Sequence, residues 1–189
     1  WEPSLAGKVM MLDDSFEPMA VAMILNGERP DTTKEEAWRS ARTMLYDHFR
    51  QQSARYGSDA DIKDALAAGD VDVAMCYSGD AAALAAEHDT IDFFIPQEGA
   101  SQWVDCLCIT RDTKLSAEAH QFVNFFLRPD VAAENTNYIR YASTNKAATP
   151  LISQDLRDDT RIYPEGEVMK RCVLVPLLDT EADSLANRH

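Results

Sequence analysis

The chain has 189 residues, enough for one large domain or two small ones, with 46% hydrophobic and 26% charged residues as in soluble globular proteins. Eighteen Lys plus Arg stand against 32 Asp plus Glu, a formal net charge of −14. Such an excess of anions repels nucleic-acid backbones and anionic lipid surfaces and draws cations, so no nucleic-acid partner is expected. No apolar run approaches the roughly 20 residues of a membrane-spanning helix. The opening WEPSLAGK lacks the basic and apolar regions of a targeting segment and reads as the middle of a protein.

KVMML (8–12) predicts a short buried strand, and SFEPMAVAMILNG a helix that stops near Gly27. The stretch DTTKEEAWRSARTMLYDHFRQQSARYG predicts a long helix with Thr32 or Thr33 as N-cap and Glu35 or Glu36 closing a capping box. Its Trp38, Ala41, Met44, Leu45 and Phe49 recur at helical spacing, giving one apolar face. SDADIKDALAAGD predicts another capped helix, closed by Gly69. Then come a strand, VDVAMCYS (71–78), a helix, GDAAALAAEH, and a strand, TIDFFIP (90–96). SQWVDCLCIT (101–110) predicts a buried strand on which Trp103, Asp105, Leu107 and Ile109 share one side. LSAEAHQFVNFFL and PDVAAENTNYI follow as helices, and 150–189 reads as short helices joined by Pro and Asp. Strand and helix alternate, which predicts an α/β fold with a central sheet covered by helices.

Signatures of catalysis are missing: there is no GxGxxG, Walker loop, GxSxG elbow or HExxH. Neither a cofactor nor a metal site is expected, since His48, His88, His120 and His189 lack partners at metal-ligand spacing. His48 and His120 read as surface or boundary residues. Cys76, Cys106, Cys108 and Cys172 form no CxxC pair and read as small buried hydrophobes. Paired carboxylates leave a hydrolase as an alternative function.

What the pattern does offer is acids and rings at strand ends. Asp13 and Asp14 follow the first strand, with Glu17 one turn into the helix. Tyr77 ends a strand, Gly79 permits a tight turn, and Asp80 opens the next helix. In both places helix capping explains the acids equally well. Asp105 is different, because it enters a strand, and a buried carboxylate needs a cationic partner from the chain or from a ligand. Carboxylates beside aromatic faces make a cage suited to a small organic amine, held by charge-assisted hydrogen bonds and cation–π attraction.

The runs VDVAMCYSGDAA, IPQEGASQWVDCLCI and AHQFVNFFLRPDVAAENTNYIRYASTNKAATPLIS resemble the bacterial periplasmic polyamine-binding proteins, the putrescine-binding branch above all. The resemblance implies a type II periplasmic-binding-protein fold: two α/β lobes with central mixed sheets, closing over a linear amine. Such a receptor has no catalytic activity and passes its ligand to the permease subunits of an ABC transporter. It implies that Glu17, Asp14, Asp80 and Asp105 serve as amine ligands and that Tyr77, Trp103 and Tyr141 form the cage. Tyr77 stands where the family usually has Trp, a stronger cation–π face. Val175 stands near a glutamine used by spermidine-type members, so putrescine is favoured, with spermidine or a guanidino compound as the alternative. By the same resemblance 1–103 belongs to the second lobe, 104–149 to the first, and 150–189 returns to the second. Most of the first lobe, which completes the cleft, would lie before WEPSLAGK, and the C-terminal helix would be cut at LANRH.

Overall fold

The structure, a computed structural model, describes residues 2–50, 54–174 and 184. Strand β1 (Val9–Leu12) is the centre of a three-stranded sheet. It pairs in parallel with β2 (Arg55–Gly57) on one side and β3 (Val73–Ala74) on the other. Parallel neighbours require crossovers, and helices supply them: α1 (Glu17–Leu25) and α2 (Glu35–Arg50) between β1 and β2, α3 (Asp59–Ala68) between β2 and β3. After β3 come α4 (Ser78–Glu87), β4 (Ala100–Gln102), α5 (Ser116–Phe126), α6 (Pro129–Ile139), α7 (Gln154–Arg157), α8 (Glu167–Arg171) and β5 (Cys172–Leu174). Strands β4 and β5 pair in parallel as a separate ribbon. Every strand pair among the described residues is parallel.

Among the described residues, three apolar clusters hold the fold. Met19 and Met23 of α1 pack on Trp38 and Ala41 of α2, with Trp38 fully buried and its indole N–H donating to the Thr32 carbonyl at 2.7 Å. Met10 and Leu12 of β1 meet Ile62 of α3 and Val71. The third cluster joins Ala82 of α4 and Ala133 of α6 to Ala148, Ile152, Leu156 and Ile162. Burying a large side chain of this kind contributes about 1.5–3 kcal/mol, so α1, α2 and α3 are each fixed by one or two anchors.

Several boundaries differ from expectation. The long helix begins at Glu35, and the Thr32 hydroxyl accepts from the Lys34 N–H at 3.3 Å instead of capping it. The RYG at its expected end is β2. Helix α3 does carry a full capping box, Ser58 with Asp61, and ends on Gly69 in the left-handed region (φ 73°). TIDFFIP forms no strand; Asp92 is drawn to Arg161 at 2.8 Å, and Phe94 is exposed. SQWVDCLCIT is strand only over its first two residues, as the end of β4. Residues 103–108 are exposed because no strand among the described residues lies alongside to satisfy their backbone groups. Cys106 and Cys108 are consequently exposed rather than buried, and all four cysteines are free thiols. His120 is exposed on α5, its Nδ1 beside the Ser116 carbonyl at 2.7 Å, and His48 is half-buried. Val175 and LANRH lie outside the described residues, apart from the neighbouring Ser184.

Candidate functional site

The three acid-bearing segments all leave the C-terminal ends of parallel strands, the place where α/β sheets present ligands. Strand β1 ends at Leu12 and leads into Asp14 and Glu17; β3 ends at Ala74 and leads to Tyr77; β4 ends at Gln102 and leads to Trp103 and Asp105. Glu17, Tyr77, Trp103, Asp105 and Tyr141 together line a cavity of about 400 Å³. The same five also line a larger, mostly apolar hollow of about 1690 Å³ into which it opens.

Asp14 works as the helix cap. Its Oδ1 accepts from the Phe16 and Glu17 N–H groups at 2.7 and 2.8 Å, and it does not line the cavity. With Asp14 holding the first turn, the Glu17 side chain is free to leave the helix, and its Oε2 accepts from the Ser101 hydroxyl at 2.7 Å. Burial raises the Glu17 carboxyl above its ordinary pKa and the Asp14 charge adds to that, against the opposing Ser101 hydrogen bond. Asp105 makes no hydrogen bond or ion pair among the described residues, and none of their Lys or Arg side chains pairs with Glu17 either. The region between them is strongly negative. Tyr77 has its phenol pushed up by burial first and then by the charges of Glu17, Asp14, Asp59 and Asp105.

Rings close the other sides. Tyr77 meets Trp103 edge-on, with centroids 5.0 Å apart and planes at 71°. Tyr141 is delivered by a left-handed turn at Arg140 (φ 58°), which ends α6 and swings the chain towards the site. The following loop is pinned: Ser143 N–H donates to the Tyr163 hydroxyl at 3.1 Å, and Asn145 Nδ2 to the Leu127 carbonyl at 2.8 Å. Gly79, expected to allow a turn, instead lies inside α4 under the Tyr141 ring. A Cβ there would sit 2.0 Å from Tyr141 Cδ2, so only glycine lets the ring approach.

Asp80 is the exception among the expected ligands. Its Oδ1 accepts from Lys63 Nζ at 2.9 Å and its Oδ2 from the Tyr141 hydroxyl at 2.5 Å. Burial would raise the carboxyl, but these two hydrogen bonds outweigh it and hold Asp80 below its usual range. Lys63 is shared with Asp59 at 2.6 Å. Neither Asp80 nor Lys63 lines the cavity. The geometry thus assembles Glu17, Asp105, Tyr77, Trp103 and Tyr141, and sets Asp14 and Asp80 one layer behind them.

Ser101 and Lys63 escape the sequence pattern as site residues. Ser101 shares strand parity with Trp103 and Asp105, a signal that could have placed it on their side. The Asp59–Lys63 pair is visible at i,i+4 spacing, whereas the reach to Asp80 is not.

The profile of the bacterial extracellular solute-binding proteins matches residues 1–162. The chain belongs to that family. It is 34% identical over 186 residues to the putrescine-binding periplasmic protein PotF of Escherichia coli K12, covering 95% of this chain and 50% of that one. SpuD of Pseudomonas aeruginosa, also a putrescine-binding periplasmic protein, matches at 34% with the same coverage. Among solved structures, one from Listeria monocytogenes named for a spermidine/putrescine ABC transporter superposes with TM-score 0.85 at 27% identity, over 98% of this chain and 57% of that one. The Tp0655 lipoprotein of Treponema pallidum follows at TM-score 0.77 and 26% identity, over 98% and 57%. The fold is that of these family members, and the chain spans about half the length of the curated relatives it matches.

Proposed function

We propose that this chain forms the acidic part of an interlobe cleft that captures putrescine or a related cationic amine and hands it to the permease of an ABC importer, in the periplasm. One observation carries the reading. Two carboxylates without a cationic partner among the described residues, Glu17 and Asp105, face one cavity walled by three aromatic rings. An ammonium entering there gains charge-assisted hydrogen bonds from the acids and ring faces from Tyr77, Trp103 and Tyr141. Its methylene chain extends into the apolar hollow. The names of the relatives, putrescine-binding and spermidine/putrescine-binding periplasmic proteins, support the same ligand class and compartment.

In this reading the protein binds and does no chemistry, and closure follows from ligand contacts that exist only when both sides of the cleft engage. Asp14 and Asp80 act at one remove, Asp14 by fixing the turn that aims Glu17 and Asp80 by holding Tyr141. Residues 1–103 and 150–189 form one lobe, and the segment that crosses to the other begins at about 104.

The test is a thermal-shift and calorimetry panel of amines on the full-length protein, because a ligand that binds only the native state raises the apparent Tm. Putrescine or a relative should bind, and Asp105→Asn should abolish the shift. Indifference to every amine ends the proposal.

A further inference from the structure

Of the acids expected as amine ligands, Asp80 alone has a cationic partner among the described residues, and that cation belongs to the chain. Lys63 projects from α3 and is gripped by two carboxylates, Asp59 at 2.6 Å on its own helix and Asp80 at 2.9 Å on α4. Both Asp80 oxygens are engaged, Oδ1 by Lys63 and Oδ2 by Tyr141. A ligand ammonium seeking Asp80 has to displace a tethered ammonium already held against it at 2.9 Å. It also has to leave Lys63 with one partner instead of two.

From this we infer that Lys63 is a specificity-determining residue: it stands in for a ligand's second ammonium at Asp80, so this part of the cleft reads a single ammonium, at Glu17 and Asp105. The inference deepens the amine reading above and rests on it. Amines whose second charge would fall at Asp80 gain nothing from it here. Discrimination by number of ammonium groups is then weaker than three free acids would give, because specificity is a difference of affinities and the competitor is built in.

The test compares putrescine with 1-aminobutane, the same four-carbon chain with one ammonium, by calorimetry on the full-length protein. In Lys63→Met, Asp80 loses its cation, and the ratio of putrescine to 1-aminobutane affinity should rise about tenfold, the scale of one exposed-to-half-buried charge contact. Lys63→Arg keeps the charge and should keep the wild-type ratio. If the ratio in Lys63→Met stays unchanged or falls, the inference is overturned while the amine reading survives. Should Lys63→Met fail to fold, Asp80→Asn decides: an equal loss for both amines supports the stand-in role, and a loss selective for putrescine overturns it. Wild-type protein that binds neither amine overturns the inference together with the reading beneath it.

Discussion

Asp105 and Asp80 are the same side chain in the same neighbourhood, yet they occupy opposite electrostatic states. Asp105 is exposed and unpartnered among the described residues; Asp80 is half-buried and engaged through both oxygens. Glu17 sides with Asp105, for its one hydrogen bond comes from a neutral hydroxyl, Ser101, which orients the carboxylate without cancelling its charge. One side of the site is therefore a set of charges waiting for a cation, and the other is a finished network that keeps a ring in place. Neutral donors preserve a carboxylate for a ligand, while a lysine consumes it.

The sharpest break in that contrast is Glu17→Gln. The amide oxygen can still accept from Ser101, so the change removes charge and little else. Truncating one member of a desolvated charge pair costs about 2–5 kcal/mol, or about 30- to 5000-fold in affinity. The same comparison predicts a pH effect. Burial and then the Asp14 charge raise the Glu17 pKa in the folded protein. Below that raised value Glu17 is protonated, and an ammonium can be gripped only after the proton leaves. Amine affinity should therefore fall on acidification, starting above the ordinary glutamate range. The sign for stability is opposite: a raised folded pKa stabilises the fold at low pH and ceases to do so as pH rises through it. Ligand-free Glu17→Gln should accordingly melt slightly higher than wild type at neutral pH. Calorimetry across pH and a melting curve check both; wild-type affinity in Glu17→Gln would sink the waiting-charge half of the comparison.

The finished half breaks at Gly79→Ala. The new Cβ would lie 2.0 Å from Tyr141 Cδ2, near the root of the ring, so Tyr141 has to leave and Asp80 loses its phenol. Loss of one cation–π wall costs about 0.5–2 kcal/mol, about 2- to 30-fold in affinity. Alanine is favoured over glycine within a helix by about 1 kcal/mol, which partly offsets the lost packing. The expected result is weaker amine binding with a Tm close to wild type. Affinity unchanged in calorimetry would show that Tyr141 is not part of the cage.

How far the sequence reveals this contrast depends on the range of each interaction. Local chemistry is plain in it: the Ser58–Asp61 capping box, the Gly69 stop, and the helices at 116–126 and 129–139 all stand where the pattern puts them. So is the gathering of Glu17, Tyr77, Trp103 and Asp105, because each lies just past a strand and strand ends converge on one rim. Pairing is not local. TIDFFIP and VDCLCIT have the apolar character of strands but lack a neighbour among the described residues, and a lone extended segment cannot satisfy its own backbone. CVL at 172–174 looks unremarkable as a strand, yet it pairs because Ala100–Gln102 comes beside it. Lys63 is the costliest omission, for an i,i+4 pair explains it fully until α4 is seen to bring Asp80 within reach.

The smallest expected effect tests whether the open side can be improved. Tyr77→Trp exchanges a weaker cation–π face for a stronger one. The Tyr77 hydroxyl makes no hydrogen bond among the described residues, so the exchange forfeits none. Its edge contact with Trp103 at 5.0 Å can be kept by an indole, since aromatic pairs tolerate centroids from about 4.5 to 7 Å. A cavity of about 400 Å³ beside it gives the larger ring somewhere to go. A gain of about 0.5–1 kcal/mol is expected, a two- to fivefold rise in amine affinity by calorimetry. If affinity falls instead, the Tyr77 face is turned to Trp103 and the ligand is held by the acids and two rings alone. The waiting charges would then be the whole of the grip on that side, and the contrast with Asp80 would be one of charge only.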